Sequence, residues 1–157
     1  MEADYRLVSV WRVPVAPDAC WAQMKRTLQE RGEIPWWPGV SVPEPVARLA
    51  AGERFALAVH SPLGHRLRVR LTLTEVAKRR GRVAAAAEGD LLGTGTMVLE
   101  KDAEGAVITF RWHVSPTRRW MRATAPLLKP AFTRAHAAVM REGERGLRVH
   151  LAAPRGR

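Results

Sequence analysis

The chain has one cysteine, Cys20, so no internal disulfide can hold it together. No apolar run reaches the roughly 18 residues that a membrane-spanning helix needs. No positively charged segment followed by an apolar stretch opens the chain, so a signal peptide is not expected and a cytoplasmic location is the default. The nucleophile elbow G-x-S-x-G and the phosphate loop G-x-x-x-x-G-K-[ST] are missing, and Gly93-Thr94-Gly95 is too short and has no strand-to-helix setting. His60 and His65 flank a turn with no cysteine or carboxylate at metal-ligand spacing, so neither a metal nor a cofactor is expected.

Lysine is scarce as well. Of 26 basic residues only Lys25, Lys78, Lys101 and Lys129 are lysine, and the other 22 are arginine. With the abundant alanine, this looks like the codon bias of a GC-rich bacterial genome. A formal net charge of +11 would otherwise suggest a polyanion partner. That bias, and the lack of a basic stretch interleaved with exposed aromatics, disfavour nucleic acid. The 157 residues are enough for a single domain with its own core, expected over 1–151, with Ala152 to Arg157 a disordered tail. Monomer and homodimer both stay open.

What is present is strongest in the last third, Thr117 to Leu151. Ala125, Leu128, Phe132, His136, Val139, Gly143 and Leu147 recur at intervals of three and four, the spacing that stacks side chains on one helix face. Arg134, Arg141, Arg145 and Arg148 fall on the opposite face. Ser115 as N-cap and Pro116 at the first position would start this helix. Pro126 and Pro130 would kink or break it early, leaving a regular helix from about Ala131.

Upstream, Tyr5 to Val13 reads as a strand that stops at Pro14. Trp21, Met24 and Leu28 share a face of a helix from Pro17 to about Glu30, closed by Gly32. Glu33 to Val40 (EIPWWPGV) is a one-turn helix or tight corner capping one end of a core. Strands follow over Val42 to Leu49, Arg54 to Ser61, Arg66 to Val76, Arg82 to Glu88, Thr94 to Asp102 and Ala106 to Val114, with separators of hairpin length. Leu67, Val69, Leu71 and Leu73 alternate with Arg66, Arg68, Arg70 and Thr72, as on strands with one dry and one wet face. Gly93 and Gly95 inside a strand pattern suggest that the sheet curls there. The expected fold is α+β: a curved antiparallel sheet of about seven strands, two short helices after the first strand, and a long C-terminal helix in the sheet's grip.

This order resembles the helix-grip fold of the SRPBCC superfamily, which includes START domains and polyketide cyclase/dehydratase-like proteins. Two segments carry the resemblance. Trp36-Trp37-Pro38-Gly39-Val40 is similar to the corner that follows the family's first helix. Phe132 to Leu147 is similar to the terminal-helix pattern F-x-x-N-H-D-x-V-M-x-x-G-x-x-G-L of a bacterial polyketide cyclase/dehydratase-like branch. His136 matches its histidine, whereas Ala135 and Ala137 stand where asparagine and aspartate are usual. The resemblance implies a cavity between sheet and helix that holds a lipid, polyketide or similar apolar molecule. Trp36, Trp37, Val69, Leu71, Phe110, Trp112, Trp120, Leu128, Phe132, His136 and Val139 would line it, and Trp36, Trp37, Trp112, Trp120 and Phe132 would equally well be plain core in a filled domain. Small residues at Ala84 to Ala87 and Gly93 to Gly95 fit a hollow interior or close helix packing equally well.

His136 is the sharpest chemical candidate: a histidine on an apolar helix face can hydrogen-bond a ligand carbonyl or move a proton, or be a core residue held by a backbone carbonyl. Glu88 and Asp90 are mouth carboxylates or turn formers, and Arg122 is a contact for an anionic ligand head or a surface cation. Cys20 is a thiolate near a helix start or a buried structural thiol. Three readings follow. The first is a carrier of a small apolar or amphipathic ligand. The second is a cyclase/dehydratase-type enzyme with His136 as acid or base. The third is an interaction module using the basic face of Arg66, Arg68, Arg70 and Arg111.

Overall fold

A computed structural model of the chain describes residues 5–60, 64 and 66–152. The elements are β1 (Tyr5–Val13), α1 (Pro17–Gln29), β2 (Gly32–Glu33), β3 (Val40–Glu44), β4 (Arg54–His60), β5 (Arg66–Ala77), a single 3₁₀ turn (Lys78–Arg80), β6 (Arg82–Gly89), β7 (Leu91–Asp102), β8 (Gly105–Pro116), α2 (Arg119–Ala123) and α3 (Ala125–Ala152). Eight strands form one antiparallel sheet in the order β1-β8-β7-β6-β5-β4-β3-β2. The sheet curls into a half-barrel with the long helix α3 against it, the helix-grip architecture. Leu67, Val69, Leu71 and Leu73 of β5 and Ile108, Phe110 and Val114 of β8 are buried, so alternation sends one side of each strand into the core and the other to water.

Several boundaries differ from those expected, each for a local reason. One helix, not two, follows β1: the Trp36-Trp37 corner is a closed turn, with Trp37 N–H donating to the Ile34 carbonyl at 3.0 Å and Val40 N–H to the Trp37 carbonyl at 3.2 Å. Gly32 does not close α1; Glu30 ends it in an extended conformation, and Gly32 begins the extra edge strand β2. β3 stops at Glu44 because Pro45 offers no N–H, and the next donor, Val46 N–H, goes to the Leu28 carbonyl at 2.9 Å. β7 starts at Leu91 rather than Thr94, and Gly93 and Gly95 lie fully paired opposite Val114 and Trp112. The expected turn over Pro62-Leu63-Gly64 falls mostly outside the described residues, as do His65 and residues 153–157 of the expected tail; Ala152 itself is helical.

The start of the terminal helices is the largest correction. Ser115 and Pro116 do not open a helix; they extend β8, paired with Leu92 and Leu91. The β6–β7 turn holds this end. Thr117 N–H donates to the Asp90 carbonyl at 3.0 Å, Thr117 Oγ1 donates to the Gly89 carbonyl at 2.6 Å, and the Arg118 guanidinium meets both Asp90 carboxylate oxygens at 3.1 and 3.0 Å. These bonds keep the chain extended through Arg118, so α2 begins only at Arg119 and breaks at Thr124. Pro126 starts α3 rather than breaking it, since a missing N–H costs nothing in the first turn. Pro130 lies inside α3, so the regular helix begins about six residues earlier than expected.

The second half of α3 is clamped to the tryptophan corner. Trp37 Nε1 donates to the Val139 carbonyl at 2.9 Å. Trp36 and Trp37 stack with centroids 5.5 Å apart, and Trp11 meets Trp37 edge-on at 5.0 Å. Two glycines make room. A Cβ at Gly143 would come within 2.6 Å of the Trp11 and Trp37 rings, and one at Gly146 within 1.6 Å of the Trp36 carbonyl oxygen. Leu147 beside them is fully buried. The edge of β1 is closed from the same helix, where Glu144 accepts the Arg12 N–H at 2.8 Å.

Candidate functional site

Above this clamp the helix and the sheet stand apart, and two cavities of about 120 Å³ each lie between them. Trp37, Leu57, Trp112 and Met140 line both and form the partition. The upper lobe is bounded by Phe132, Ala135, His136 and Val139 of α3, by Val69 and Leu67 of β5, and by Leu7, Val40, Val59, Leu91 and Val114. Among the described residues His136 is its one ionisable side chain. The lower lobe reaches from α1 (Met24, Leu28) across Phe55, Leu71, Leu73, Ala85, Gly95 and Phe110, with Lys25, Thr27 and Thr96 as its polar members. The Thr27 hydroxyl is already committed, donating to the Gln23 carbonyl at 2.9 Å.

The helical spacing aims His136 at the sheet, and its Nε2 atom is buried with no hydrogen-bond partner among the described residues. Burial among apolar side chains pushes its pKa below the ordinary 6.5, because the charged imidazolium has lost its water. A neutral imidazole with a free ring nitrogen can donate to or accept from a ligand's polar group, depending on tautomer.

Of the residues expected to line a cavity, Trp37, Val69, Trp112, Phe132, His136 and Val139 meet around the upper lobe, and Leu71 and Phe110 around the lower. Trp36 is 5% exposed and belongs to the clamp. Leu128 lines neither lobe, and Trp120 lies 41% exposed on α2, outside both. Leu57, Val59, Leu91, Ala135 and Met140 were missed. The alternation Phe55, Leu57, Val59 on β4 and the i+4 relation of Met140 to His136 were the available signals.

The other candidates resolve toward structure. Asp90 is the turn residue that grips Arg118, and Glu88 faces Arg70 at 4.0 Å on the outer surface. Arg122 is exposed on α2. Burial lifts the Cys20 thiol to about 11, which keeps it protonated and unreactive at neutral pH. Among the described residues no three His, Cys, Asp or Glu side chains group as metal ligands, and no helix is long and apolar enough to cross a membrane. Arg66, Arg68 and Arg70 are exposed on β5, but Arg111 lies three strands away on β8, about 14 Å at the usual strand spacing, so the four do not make one patch.

No protein-family model and no curated protein matches this sequence. Solved structures do match. TTHA0849 from Thermus thermophilus superposes with a TM-score of 0.68 at 18% identity over 96% of this chain and 99% of that one. Protein Ms6760 from Mycobacterium smegmatis gives 0.61 at 13% identity, over 96% and 91%. The di-domain ARO/CYC protein BexL from the BE-7585A biosynthetic pathway gives 0.69 at 12% identity over 99% of this chain and 52% of BexL, so the chain spans about half of it. At these identities the likeness is one of fold.

Proposed function

We propose that the protein binds a small apolar or amphipathic molecule between the sheet and α3, with His136 Nε2 hydrogen-bonding its one polar group. The observation that carries this reading is an apolar lobe lined by His136, whose buried Nε2 has no hydrogen-bond partner among the described residues. A buried polar nitrogen without a partner costs about 1–3 kcal/mol. A ligand with one polar group offsets that cost while its apolar part packs against the lobe's apolar lining. Its size is constrained: a lobe of about 120 Å³ is smaller than the roughly 300 Å³ at which pockets for drug-sized molecules begin. A longer ligand reaches the lower lobe only if the partition opens, and Met140, the flexible member, is the side chain to move.

The test is native mass spectrometry of freshly purified protein alongside titration with an environment-sensitive apolar dye. One saturable site, weakened when His136 is changed to leucine, is the expected result. A dye that never saturates, with no retained mass, would sink the reading.

The second reading is proton-transfer chemistry of the cyclase/dehydratase type, favoured by the neutral imidazole and by the fold shared with BexL, an ARO/CYC protein. Against it, the upper lobe supplies among the described residues no second ionisable side chain to pair with His136 as acid and base. Turnover of a poly-β-carbonyl substrate that disappears in His136→Ala while dye binding persists would favour the enzyme over the carrier.

A further inference from the structure

A second concave site lies at the N-terminal end of α1, and its chemistry differs from that of the cavity. The 3₁₀ turn between β5 and β6 places Lys78, Arg79 and Arg80 in succession, and Lys101 of β7 joins them around a cleft of about 440 Å³ at the start of α1. The turn is held in place. Gly81, in the left-handed region at φ 61°, accepts the Leu99 N–H at 2.7 Å, and a Cβ there would come within 2.1 Å of the Leu99 carbonyl oxygen. Among the described residues none of the four cations makes an ion pair. The cleft's one acidic member is Asp18. Ala16, at the N-cap of α1, offers no side-chain acceptor to the first-turn N–H groups, which adds positive potential at the same rim.

Codon bias accounts for a surplus of arginine but not for lysine, and two of the chain's four lysines converge here. Four exposed cations around one concavity, with only Asp18 against them among its lining residues, favour an anion with several charged oxygens. We infer that this cleft binds a small ligand carrying two or more linked phosphate groups, independently of the apolar cavity.

Calorimetric titration with inorganic pyrophosphate tests this. One saturable site per chain is expected, with affinity that falls as salt rises. Lys78→Ala with Lys101→Ala should weaken it by about tenfold or more, while Arg66→Ala with Arg68→Ala on the outer face of β5 should leave it unchanged. Asp18→Asn should tighten it. Equal losses in the two double variants would mean that only the net charge of the chain is felt, and would overturn the proposal, as would failure to saturate. Sedimentation with phosphatidylcholine vesicles, with and without diacylglycerol pyrophosphate, separates two sources of the same chemistry. Lysine-dependent sedimentation assigns the site to a lipid headgroup, and pyrophosphate binding without it assigns a soluble phosphate ester.

Discussion

The two halves of α3 carry the same sequence signal and meet opposite fates. Gly143, Gly146 and Leu147 press against the Trp36-Trp37 corner and β1, close enough that a single added carbon collides. One to three turns earlier, Phe132, Ala135, His136 and Val139 sit on the same face, are only half-buried, and look into empty space. The clamp closes one end of the grip, and closing it there is what lets the other end stand open. Positions on this face therefore divide into those where volume is forbidden and those where volume is missing.

Mutations of like kind should have unlike effects across that divide. The largest is expected for Gly146→Ala. Its Cβ would lie within 1.6 Å of the Trp36 carbonyl, so backbone must separate, costing about 3 kcal/mol or more in urea unfolding. A variant as stable as the parent would show that the helix is not clamped there. Next comes a pair. Leu147→Ala, at a fully buried site, should cost about 2–5 kcal/mol, whereas Val139→Ala, beside an existing void, should cost about 1 kcal/mol; equal losses would erase the contrast. Ala135→Leu should then reverse the sign. Filling the upper lobe should stabilise by about 0.5–1 kcal/mol and abolish dye binding, a joint outcome that simple helix propensity does not produce.

The smallest effect is a pH dependence. The His136 pKa in the folded state lies below its unfolded value of 6.5, so the unfolded chain takes up the proton first as pH falls. Its contribution is present above 6.5 and is lost as pH falls from 6.5 toward the depressed folded value. Comparing urea midpoints at about pH 7.5 and about pH 5.5, His136→Leu should lose less stability than the parent. Parallel losses would mean that another group titrates.

Much of the fold was legible. Alternation in Arg66 to Leu73 identified inward and outward residues correctly, and the terminal-helix face was legible at Ala125, Phe132, His136, Val139, Gly143 and Leu147, though not at Ala135 and Met140. The tryptophans show where legibility ends. Trp36, Trp37, Trp112 and Trp120 looked alike as candidate lining, yet Trp36 is in the clamp, Trp37 and Trp112 are in the partition, and Trp120 faces solvent on α2. The prolines misled for a similar reason. Pro116 looked like a helix start until bonds from the β6–β7 turn, 26 or more residues upstream, held it in a strand.

By itself the sequence determined the elements, which face of each turns inward, and that His136 would sit on an apolar stripe, because periodicity is a property of one segment and needs no partner. Only the tertiary structure decided that half of that stripe is packed and half is hollow, and that Nε2 of His136 has no partner among the described residues. The gap between two surfaces depends on the curvature of the sheet and on where distant residues touch. Here Gly143 and Gly146 meet tryptophans more than 100 positions away, and no spacing within either segment records that distance.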